Sequence, residues 1–262
     1  MAPTIHCVRH AQGFHNLSTA NHALPDPLLT PLGEAQCRFL AQTFPSPAAI
    51  DAVVASPMKR TLYTALLSFP TALATRNIKV VALPELQETS DMPCDTGSTP
   101  AELATEFADK PVDLRLVPEG WNDKRAAKWA PNNKAVEARA RDARLWLLAR
   151  PEREIVLVAH GGFLHYLTED WAGSDRLCGT GWSNTEFRSY TFAAPSNNND
   201  PASDAHLVET PSSRQRRRGD PTAPDREEQA QLKRAAVREW GAQGYVGVPS
   251  AAPGERDVKV KG

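Results

Sequence analysis

"TIHCVRH" (residues 4–10) decides the fold, because a short apolar run ends there in an arginine and a histidine. Three later runs have the same character: "DAVVA" (51–55), "IKVVAL" (78–83) and "EIVLVA" (154–159). Short, almost continuous apolar runs rich in β-branched residues are typical of strands that are buried on both faces. The sequence therefore predicts a mostly parallel sheet that contains these four runs as strands.

Helix signals lie between the four runs. "TPLGEAQCRFLAQTF" (30–44) and "SPMKRTLYTALLSF" (56–69) each open with a cap residue and a proline, and "TPAE" (99–102) has capping-box spacing. "KAVEARARDARLWLLAR" (134–150) carries its apolar residues on one helical stripe, and "TEFRSYTF" (185–192) alternates like an edge strand. The alternation predicts an α/β fold, a three-layer α/β/α sandwich with a mostly parallel central sheet.

A chain of 262 residues suits one large α/β domain with an appendage. We expect a catalytic domain over residues 1–193. Within it, residues 90–133 lack an obvious core strand and form a lid-like insert beside the predicted site. Its basic and aromatic residues could hold a second anionic or planar substrate group, or form a solvated face stapled by the tryptophans: Arg115, Lys124, Arg125, Lys128, Trp121 and Trp129.

Residues 194–262 are expected to be a helical or irregular C-terminal tail, since the composition shifts there to Pro, Ser, Asn and Asp. One helix is predicted near residues 226–240, either docked or free in solution. If docked, it packs through Leu232, Ala236 and Trp240. The basic cluster "RQRRR" (214–218) is either a weak nuclear signal or anion patch, or a solvated part of the tail.

Composition excludes several functional classes. Lys and Arg total 30 against 31 Asp and Glu, so no global field favours nucleic acid or a membrane surface. The four cysteines are widely spaced without a CxxC pair, and no apolar stretch approaches the roughly 18 residues of a membrane span. A motif at residue 9 leaves no room for a leader. We therefore expect a cytoplasmic protein without nucleic acid or membrane partners; a homodimer is left open.

Polar residues follow the end of each predicted strand. Ligands of open α/β sheets bind beyond the carboxyl ends of the strands, so these residues are predicted to share one crevice. Gly161 and Gly162 leave the amides at a helix start unobstructed, where backbone N–H groups favour an anion. The residues expected to converge are Arg9 and His10 after the first run, Arg60 after the second, Glu88 after the third and His160 after the fourth.

This combination of residue types predicts a phosphoryl pocket. Arginines supply permanently charged forks for phosphate oxygens, and Asn16 or backbone amides could satisfy the remaining lone pairs. A neutral imidazole can attack phosphorus, and a carboxylate such as Glu88 can protonate the leaving alkoxide and later activate water. Each residue alone could be structural. A zinc site is the weaker alternative, because adjacent arginines would repel the cation from its ligands His6, His10, His15 and His160.

Four motifs in order resemble the histidine phosphatase superfamily, in its phosphoglycerate-mutase-like branch: "RHAQGFHN" (9–16), "SPMKRTLYTA" (56–65), "ELQE" (85–88) and "VAHGG" (158–162). The resemblance covers residues 4 to about 192. Longer sequence segments around the motifs are similar to fungal members of this branch. The roles it implies are phosphorylated nucleophile for His10, phosphoryl clamp for Arg9, Arg60 and His160, phosphoryl contact for Asn16 and proton donor for Glu88.

Two positions depart from the family's pattern. The usual Arg-His-Gly reads Arg9-His10-Ala11, a form familiar in this branch. The acid of the family lies in a Glu-rich turn, whereas "ETSDMPCD" (88–95) offers three carboxylates. Glu88 lies closest to the strand end, and Asp91 is the alternative acid.

The leading functional hypothesis is a phosphomonoesterase that needs no metal or cofactor and acts on a small phosphorylated metabolite through a phosphohistidine. A phosphomutase of the phosphoglycerate mutase type is the main alternative. A non-phosphoryl reaction in the inherited pocket, or a catalytically silent binding module, ranks below both, because none of the acting residues is missing from the sequence.

Overall fold

The computed structural model describes residues 2–174, 181–193 and 205–243. Within these residues a seven-stranded mixed sheet has the order β4-β3-β2-β5-β1-β6-β7. The first five strands in this order are mutually parallel, and β6 and β7 continue the sheet in antiparallel pairing. The strands are β1 (Thr4–Arg9), β2 (Ala52–Ala55), β3 (Val80–Ala82), β4 (Val112–Asp113), β5 (Glu154–Ala159), β6 (Phe187–Phe192) and β7 (Leu207–Glu209).

The four apolar runs form the middle of the sheet, as predicted. β5 lies between β1 and β2, with His6 opposite Val156 and Val53 opposite the same residue on the other side. Alternate residues of β5 enter different cores, Leu157 on one face and Val158 on the other. A strand buried on both faces needs apolar side chains at every position, which is why the run shows no alternation.

Helices cover both faces of the sheet, which confirms the three-layer sandwich. One face packs against α5, α6 and α8, and the other against α1 to α4. The described helices are α1 (Pro31–Thr43), α2 (Lys59–Ser68), α3 (Pro70–Arg76), α4 (Pro100–Glu106), α5 (Asn133–Leu148), α6 (Gly161–Thr168), α7 (Pro211–Arg218) and α8 (Arg226–Ala242). No helix in the described ranges combines the length and apolar character that a membrane span requires.

The segment expected to be a lid, residues 90–133, is attached to the core at some positions and exposed at others. Trp121 is fully buried and Trp129 nearly so, both in the same core as α2 and α3. β4 of this segment also pairs in parallel with β3 at the edge of the sheet. Burying two indole rings stabilises these attachments, while Asp91, Arg115 and Arg125 of the same segment are exposed.

The segment after residue 193 contains more structure than the one helix that the sequence predicts. β7 pairs with β6 and extends the sheet, and α7 follows it. The predicted helix is α8, docked through Ala236 and Trp240, with Leu232 packed against the same cluster. The amphipathic pattern was visible in the sequence, but a three-residue strand has too little periodicity to be recognised without its partner.

Two arginines of the basic cluster at 214–218 are folded onto the domain, whereas Gln215, Arg216 and Arg218 are exposed. Arg217 Nη2 lies 2.5 Å from a carboxylate oxygen of Glu209 and 3.2 Å from one of Asp170. Arg214 is also buried beside Glu209, at 3.4 Å. These arginines are held by internal carboxylates, which disfavours the reading of the cluster as a free basic patch.

Gly33 in the first turn of α1 touches the loop that follows β1. A Cβ atom on Gly33 would lie 2.1 Å from the carbonyl oxygen of Gln12, and the Gly33 N–H donates to the Thr30 hydroxyl at 3.0 Å. Because the obstructing atom belongs to the backbone, it cannot move aside as a flexible side chain would.

We expect Gly33→Ala to lower the free energy of unfolding by about 1–3 kcal/mol despite the better helix propensity of alanine. The neighbouring Glu34→Ala, which removes an exposed pair with Arg38, should cost about 0.5 kcal/mol or less. Urea unfolding of both variants measures the difference. Equal stability of the two variants would contradict the close approach of α1 to this loop.

Candidate active site

The residues predicted to converge do meet at the carboxyl ends of the central strands. A cavity of about 300 Å³ opens there. Arg9 and His10 follow β1, Arg60 lies in the first turn of α2, and Glu88 follows β3. The full wall consists of Arg9, His10, His15, Asn16, His22, Arg60, Glu88, Thr89, Met92, Cys94, Asp95, Gly162, Trp240 and Gln243.

His10 is 2% exposed and has a defined tautomer. Its Nδ1 lies 2.7 Å from the carbonyl oxygen of Ala11. A carbonyl only accepts hydrogen bonds, so Nδ1 carries the proton and Nε2 holds a lone pair. Burial lowers the pKa of His10 well below its usual value, and the charges of Arg60, His15 and Arg9 lower it further. The imidazole is therefore neutral and nucleophilic at physiological pH.

His160 is fully buried behind Arg60, and its tautomer is the opposite one. Arg60 Nη2 donates to His160 Nδ1 at 3.0 Å, because a guanidinium can only donate. His160 Nε2 must then carry the proton, which it donates to Ser56 Oγ at 2.9 Å. The ring lies against His10, with a centroid separation of 5.2 Å, but it is not part of the cavity wall. In this geometry His160 orients Arg60.

Asp95 holds the other side of the Arg60 guanidinium. Nη2 of Arg60 lies 2.9 Å from Asp95 Oδ1, and Nη1 donates to the carbonyl oxygen of Cys94 at 2.6 Å. Ser90 donates to the second carboxylate oxygen of Asp95 at 2.6 Å. Arg60 is 1% exposed, so this buried carboxylate balances its charge in the absence of a bound anion.

Arg9 is the second guanidinium of the cavity and is anchored from the opposite side. Its Nη1 donates to the carbonyl oxygen of Trp182. Its Nε is buried without a hydrogen-bond partner, as is Nε of Arg60. Burial lowers the pKa of Arg9, and the nearby Glu88 carboxylate raises it. Unsatisfied donors on two permanently charged groups suit an anion such as phosphate.

Glu88 occupies the helix N-terminus that the sequence assigned to the phosphate. Its carboxylate accepts the backbone N–H groups of Gly162 at 3.1 Å and Phe163 at 2.8 Å, at the start of α6. A Cβ atom on Gly162 would lie 2.7 Å from Glu88 Oε1, so the glycine permits this approach. The expectation for Gly161 is corrected: it does not line the cavity, and the helix start holds a carboxylate of the chain itself.

The environment of Glu88 favours a carboxyl group that can exchange a proton. Burial raises its pKa, and the charge of Asp95 raises it further. The N–H groups of Thr89 and Gly162 and the charge of Arg60 oppose this rise only in part. Such a shift brings a carboxyl group towards the pH range in which it can act as acid and base.

Asp91, the alternative acid, lies away from the cavity, whereas Asn16 lies on its wall. Asp91 is exposed and does not line the cavity, because the chain turns back after Ser90 to bring Asp95 inward. Asn16 lies on the cavity wall, and its Oδ1 accepts the N–H of Gly13 at 3.0 Å. With Oδ1 taken, its amide group presents donors to an anion.

Two buried cations support the turn carrying Glu88: Arg139, which sequence reasoning did not single out, and Lys124, which it had offered as a partner for a second substrate anion. Arg139 of α5 donates to the carbonyl oxygens of Glu85 and Gln87, both at 2.8 Å, and Lys124 Nζ donates to that of Glu88 at 3.1 Å. Burial lowers the pKa of Lys124 to about 7, with Arg139 adding to the effect. The sequence did contain a signal for the burial of Arg139, because this residue lies on the apolar stripe of α5.

Of the four histidines of the zinc alternative, His10, His15 and His160 lie close together, whereas His6 lies apart from them. His6 bonds to Ser189 and Glu154, both at 2.9 Å, and does not line the cavity. His15 packs against His10, with ring centroids 5.3 Å apart, and burial lowers its pKa to about 2. Across the described ranges, no group of three or more His, Cys, Asp or Glu side chains could hold a metal ion.

This chain belongs to the histidine phosphatase superfamily. Residues 5–194 match the model for branch 1 of that superfamily, and they include every strand of the sheet except β7. The match ends before α7 and α8, so Trp240 and Gln243 of the cavity wall lie outside it.

Relatives in this superfamily are phosphatases or proteins named after phosphoglycerate mutase. A phosphoglycerate mutase-like protein of Arabidopsis thaliana is 30% identical over 203 residues, which are 63% of this chain and 73% of that protein. A probable phosphatase of Schizosaccharomyces pombe is 33% identical over 110 residues, 40% of this chain and 49% of its own length. Among solved structures, mycobacterial hydrolase 1 is 21% identical, with a TM-score of 0.49 over 79% of this chain and 97% of that chain.

The opposite tautomers of His10 and His160 can be measured directly. We expect two-bond nitrogen–proton correlation spectra to show His10 as the Nδ1–H form and His160 as the Nε2–H form. Because the pKa of each ring lies well below its usual value, neither should titrate as the pH falls from 8 to about 6.5. A titration of His10 with a midpoint near 6.5, or the reverse tautomers, would contradict this geometry.

Proposed function

We propose that this chain is a metal-independent phosphomonoesterase that acts through a phosphohistidine on a small phosphorylated metabolite. The observation that carries the proposal is His10, whose Nδ1–H is held by the Ala11 carbonyl while an unprotonated Nε2 remains for reaction at a cavity with two arginines. Arg9 and Arg60 supply the positive charge that a phosphoryl group needs, and the protein itself supplies the nucleophile.

In the first step, His10 Nε2 attacks phosphorus, and an N–P bond forms as the P–O ester bond breaks. The leaving alkoxide takes the proton of Glu88. In the second step, water gives its proton to the Glu88 carboxylate and attacks phosphorus, and the N–P bond breaks to release inorganic phosphate. Atoms and charges balance over the cycle, and His10 and Glu88 return to their starting protonation states.

Within this proposal the remaining residues bind or orient. Arg9, Arg60 and Asn16 hold the phosphoryl oxygens, which gain charge in the transition state. His160 acts through Arg60, because both ring nitrogens are already bonded to Arg60 and Ser56. An incoming phosphoryl group would compete with Asp95 for the Arg60 guanidinium, so binding includes an exchange of one anion for another.

A phosphomutase is the second candidate, because two of the relatives are named phosphoglycerate mutase-like. A mutase must keep its phosphohistidine away from water and hold a second anionic group while the intermediate reorients. Among the described residues of the cavity wall, Arg9 and Arg60 are the arginines, and there is no lysine. Both arginines lie beside His10. The charge distribution therefore favours hydrolysis over transfer.

We expect His10→Ala to abolish turnover of phosphate esters while leaving the fold intact. The control is His6→Ala, which makes the same substitution within β1, away from the cavity, and should keep activity within a few-fold. Phosphate release from p-nitrophenyl phosphate and acid-labile labelling by substrate provide the readouts. His10→Ala turnover at a tenth of the parent rate would contradict the covalent mechanism, and positional isomers formed from 3-phosphoglycerate faster than phosphate would favour the mutase.

The role of Glu88 predicts a pH dependence that differs between esters. The acid must be protonated in the free enzyme, so kcat/KM for glycerol 3-phosphate falls as pH rises through the raised pKa of Glu88. p-Nitrophenyl phosphate needs little protonation of its leaving group and should lack this fall. Because the phosphate groups of the two esters titrate at different pH, each kcat/KM profile is corrected for the titration of its own substrate before the ratio is taken. His10 adds no opposing change near neutrality, because its pKa lies well below 6.5.

Glu88→Gln should slow the alkyl ester by about 10²–10⁴-fold and make the ratio independent of pH. The matched control is Asp91→Asn, an exposed carboxylate of the same turn, which should leave the profile unchanged. If Asp91→Asn removes the pH dependence and Glu88→Gln does not, the assignment of the acid is wrong.

A further inference from the structure

The cavity has a buried phosphoryl end and an open end of different chemistry. His10 and Arg60 are almost fully buried, whereas Met92 and His22 are partly exposed and Gln243 is exposed. This gradient indicates that the cavity opens towards Met92, His22 and Gln243, and the buried Trp240 forms part of the wall beside Gln243. The organic part of a phosphomonoester whose phosphoryl group meets His10 must lie in this direction.

Trp240 reaches the open end because α8 is docked firmly. Its indole packs against Trp171, with ring centroids 5.8 Å apart, and against His165 at 5.7 Å. Gln229, near the start of α8, accepts the backbone N–H of Trp171 at 2.7 Å and donates to Asp170 at 3.2 Å. A side chain fixed from two directions presents a rigid aromatic surface to a ligand at little cost in conformational entropy.

The open end has no arginine or lysine among the described residues of its wall. The basic residues expected to hold a second anion are bound elsewhere: Arg115 to Asp113, Arg125 to Asp123, and Lys128 to Glu85. Lys124 is buried and donates to the carbonyl oxygen of Glu88.

Asp95 adds a carboxylate to the same cavity, paired with Arg60. At the open end, as lined by the described residues, a second anion on the substrate would therefore lose hydration without gaining a partner of permanent positive charge.

The size of the cavity limits the organic group. About 300 Å³ is at the small end of the roughly 300–1,000 Å³ typical of small-molecule sites, and the phosphoryl group takes part of it. The remaining space, bordered by an indole, a thioether and an amide, suits one ring or a short apolar chain with a polar edge.

We propose that Trp240 of α8 and Gln243 directly after it, together with Met92, form a leaving-group subsite that selects phosphomonoesters of uncharged alcohols or phenols carrying a ring or short apolar group. The inference rests on the proposed phosphomonoesterase function and adds its substrate class. It assigns to α8, which lies outside the matched superfamily region, a specificity role at the inherited phosphoryl site.

The first test compares 4-carbamoylphenyl phosphate with 4-carboxyphenyl phosphate, which share their shape and differ in one charge. We expect kcat/KM to be about tenfold higher for the neutral amide, because the carboxylate finds no cation at the open end. Equal values, or a preference for the carboxylate, would overturn the substrate class.

The second test removes the subsite. Trp240→Ala should lower kcat/KM for phenyl phosphate by about tenfold and leave glycerol 3-phosphate within about twofold. The matched control Trp146→Ala removes a partly buried indole of α5 that does not line the cavity, and should change neither ester selectively. An equal loss on both esters, or no loss on phenyl phosphate, would overturn the role of Trp240.

Two further variants keep the test decisive if Trp240→Ala fails to fold. Trp240→Phe retains an aromatic core and Gln243→Ala changes an exposed position, so both should fold. Each should reduce the ratio of phenyl phosphate to glycerol 3-phosphate turnover, by about two- to fivefold. An unchanged ratio in both folded variants would overturn the subsite.

Failure of the proposed function can be told apart from failure of the subsite. If no ester is hydrolysed, calorimetric titration of the His10→Ala variant with the two substituted phenyl phosphates still measures their relative affinity. A preference for the carbamoyl ester would support the subsite even though the phosphatase function had failed. No preference would overturn the subsite as well.

Discussion

The arrangement of the site depends on two positive charges buried at the end of a sheet, Arg9 and Arg60. Desolvated guanidinium groups are costly unless carboxylates or carbonyl groups compensate them. Asp95 and the Cys94 carbonyl do this for Arg60, while Glu88 lies close enough to raise the pKa of Arg9. These carboxylates offset the cost of burying the two guanidinium groups, and Glu88 lies on the same cavity wall as His10.

The same positive charges explain why a buried histidine can be a nucleophile. Burial alone disfavours an imidazolium, and the charges around His10 disfavour it further. The Ala11 carbonyl then selects the tautomer that leaves Nε2 unprotonated. The Glu88 carboxyl experiences burial as well, but its pKa moves upward, since its charged form is the anion. One low-dielectric pocket therefore produces a neutral base and a proton-holding acid side by side.

The segment after the matched superfamily region contributes both to the sheet and to the cavity wall. β7 extends the sheet, and α7 brings Arg214 and Arg217 to the buried carboxylates of Glu209 and Asp170. α8 then packs on the same core as α5 and α6 and reaches the cavity with Trp240. The phosphoryl end of the cavity comes from the strands, whereas part of the open end comes from this addition. Under the proposed function and the proposed subsite, chemistry and selectivity are built by different parts of the chain.

The sequence by itself determined the strands, their parallel arrangement and the convergence of Arg9, His10, Arg60 and Glu88. It could do so because continuous apolar runs report strands buried on both faces, and the carboxyl ends of parallel strands share one edge. Capping signals were equally local: Thr30 and Thr99 cap their helices as the spacing predicts. Each of these features is encoded within a few neighbouring residues.

Only the tertiary structure decided which side chain pairs with which. The N–H groups at the start of α6 hold Glu88 rather than phosphate, Asp95 rather than Asp91 turns inward, and Trp240 reaches the cavity from the far end of the chain. These partners are distant in sequence, and no period or local motif links them. Their selection depends on packing and on the need to compensate buried charge, which exist only once the layers of the fold have come together.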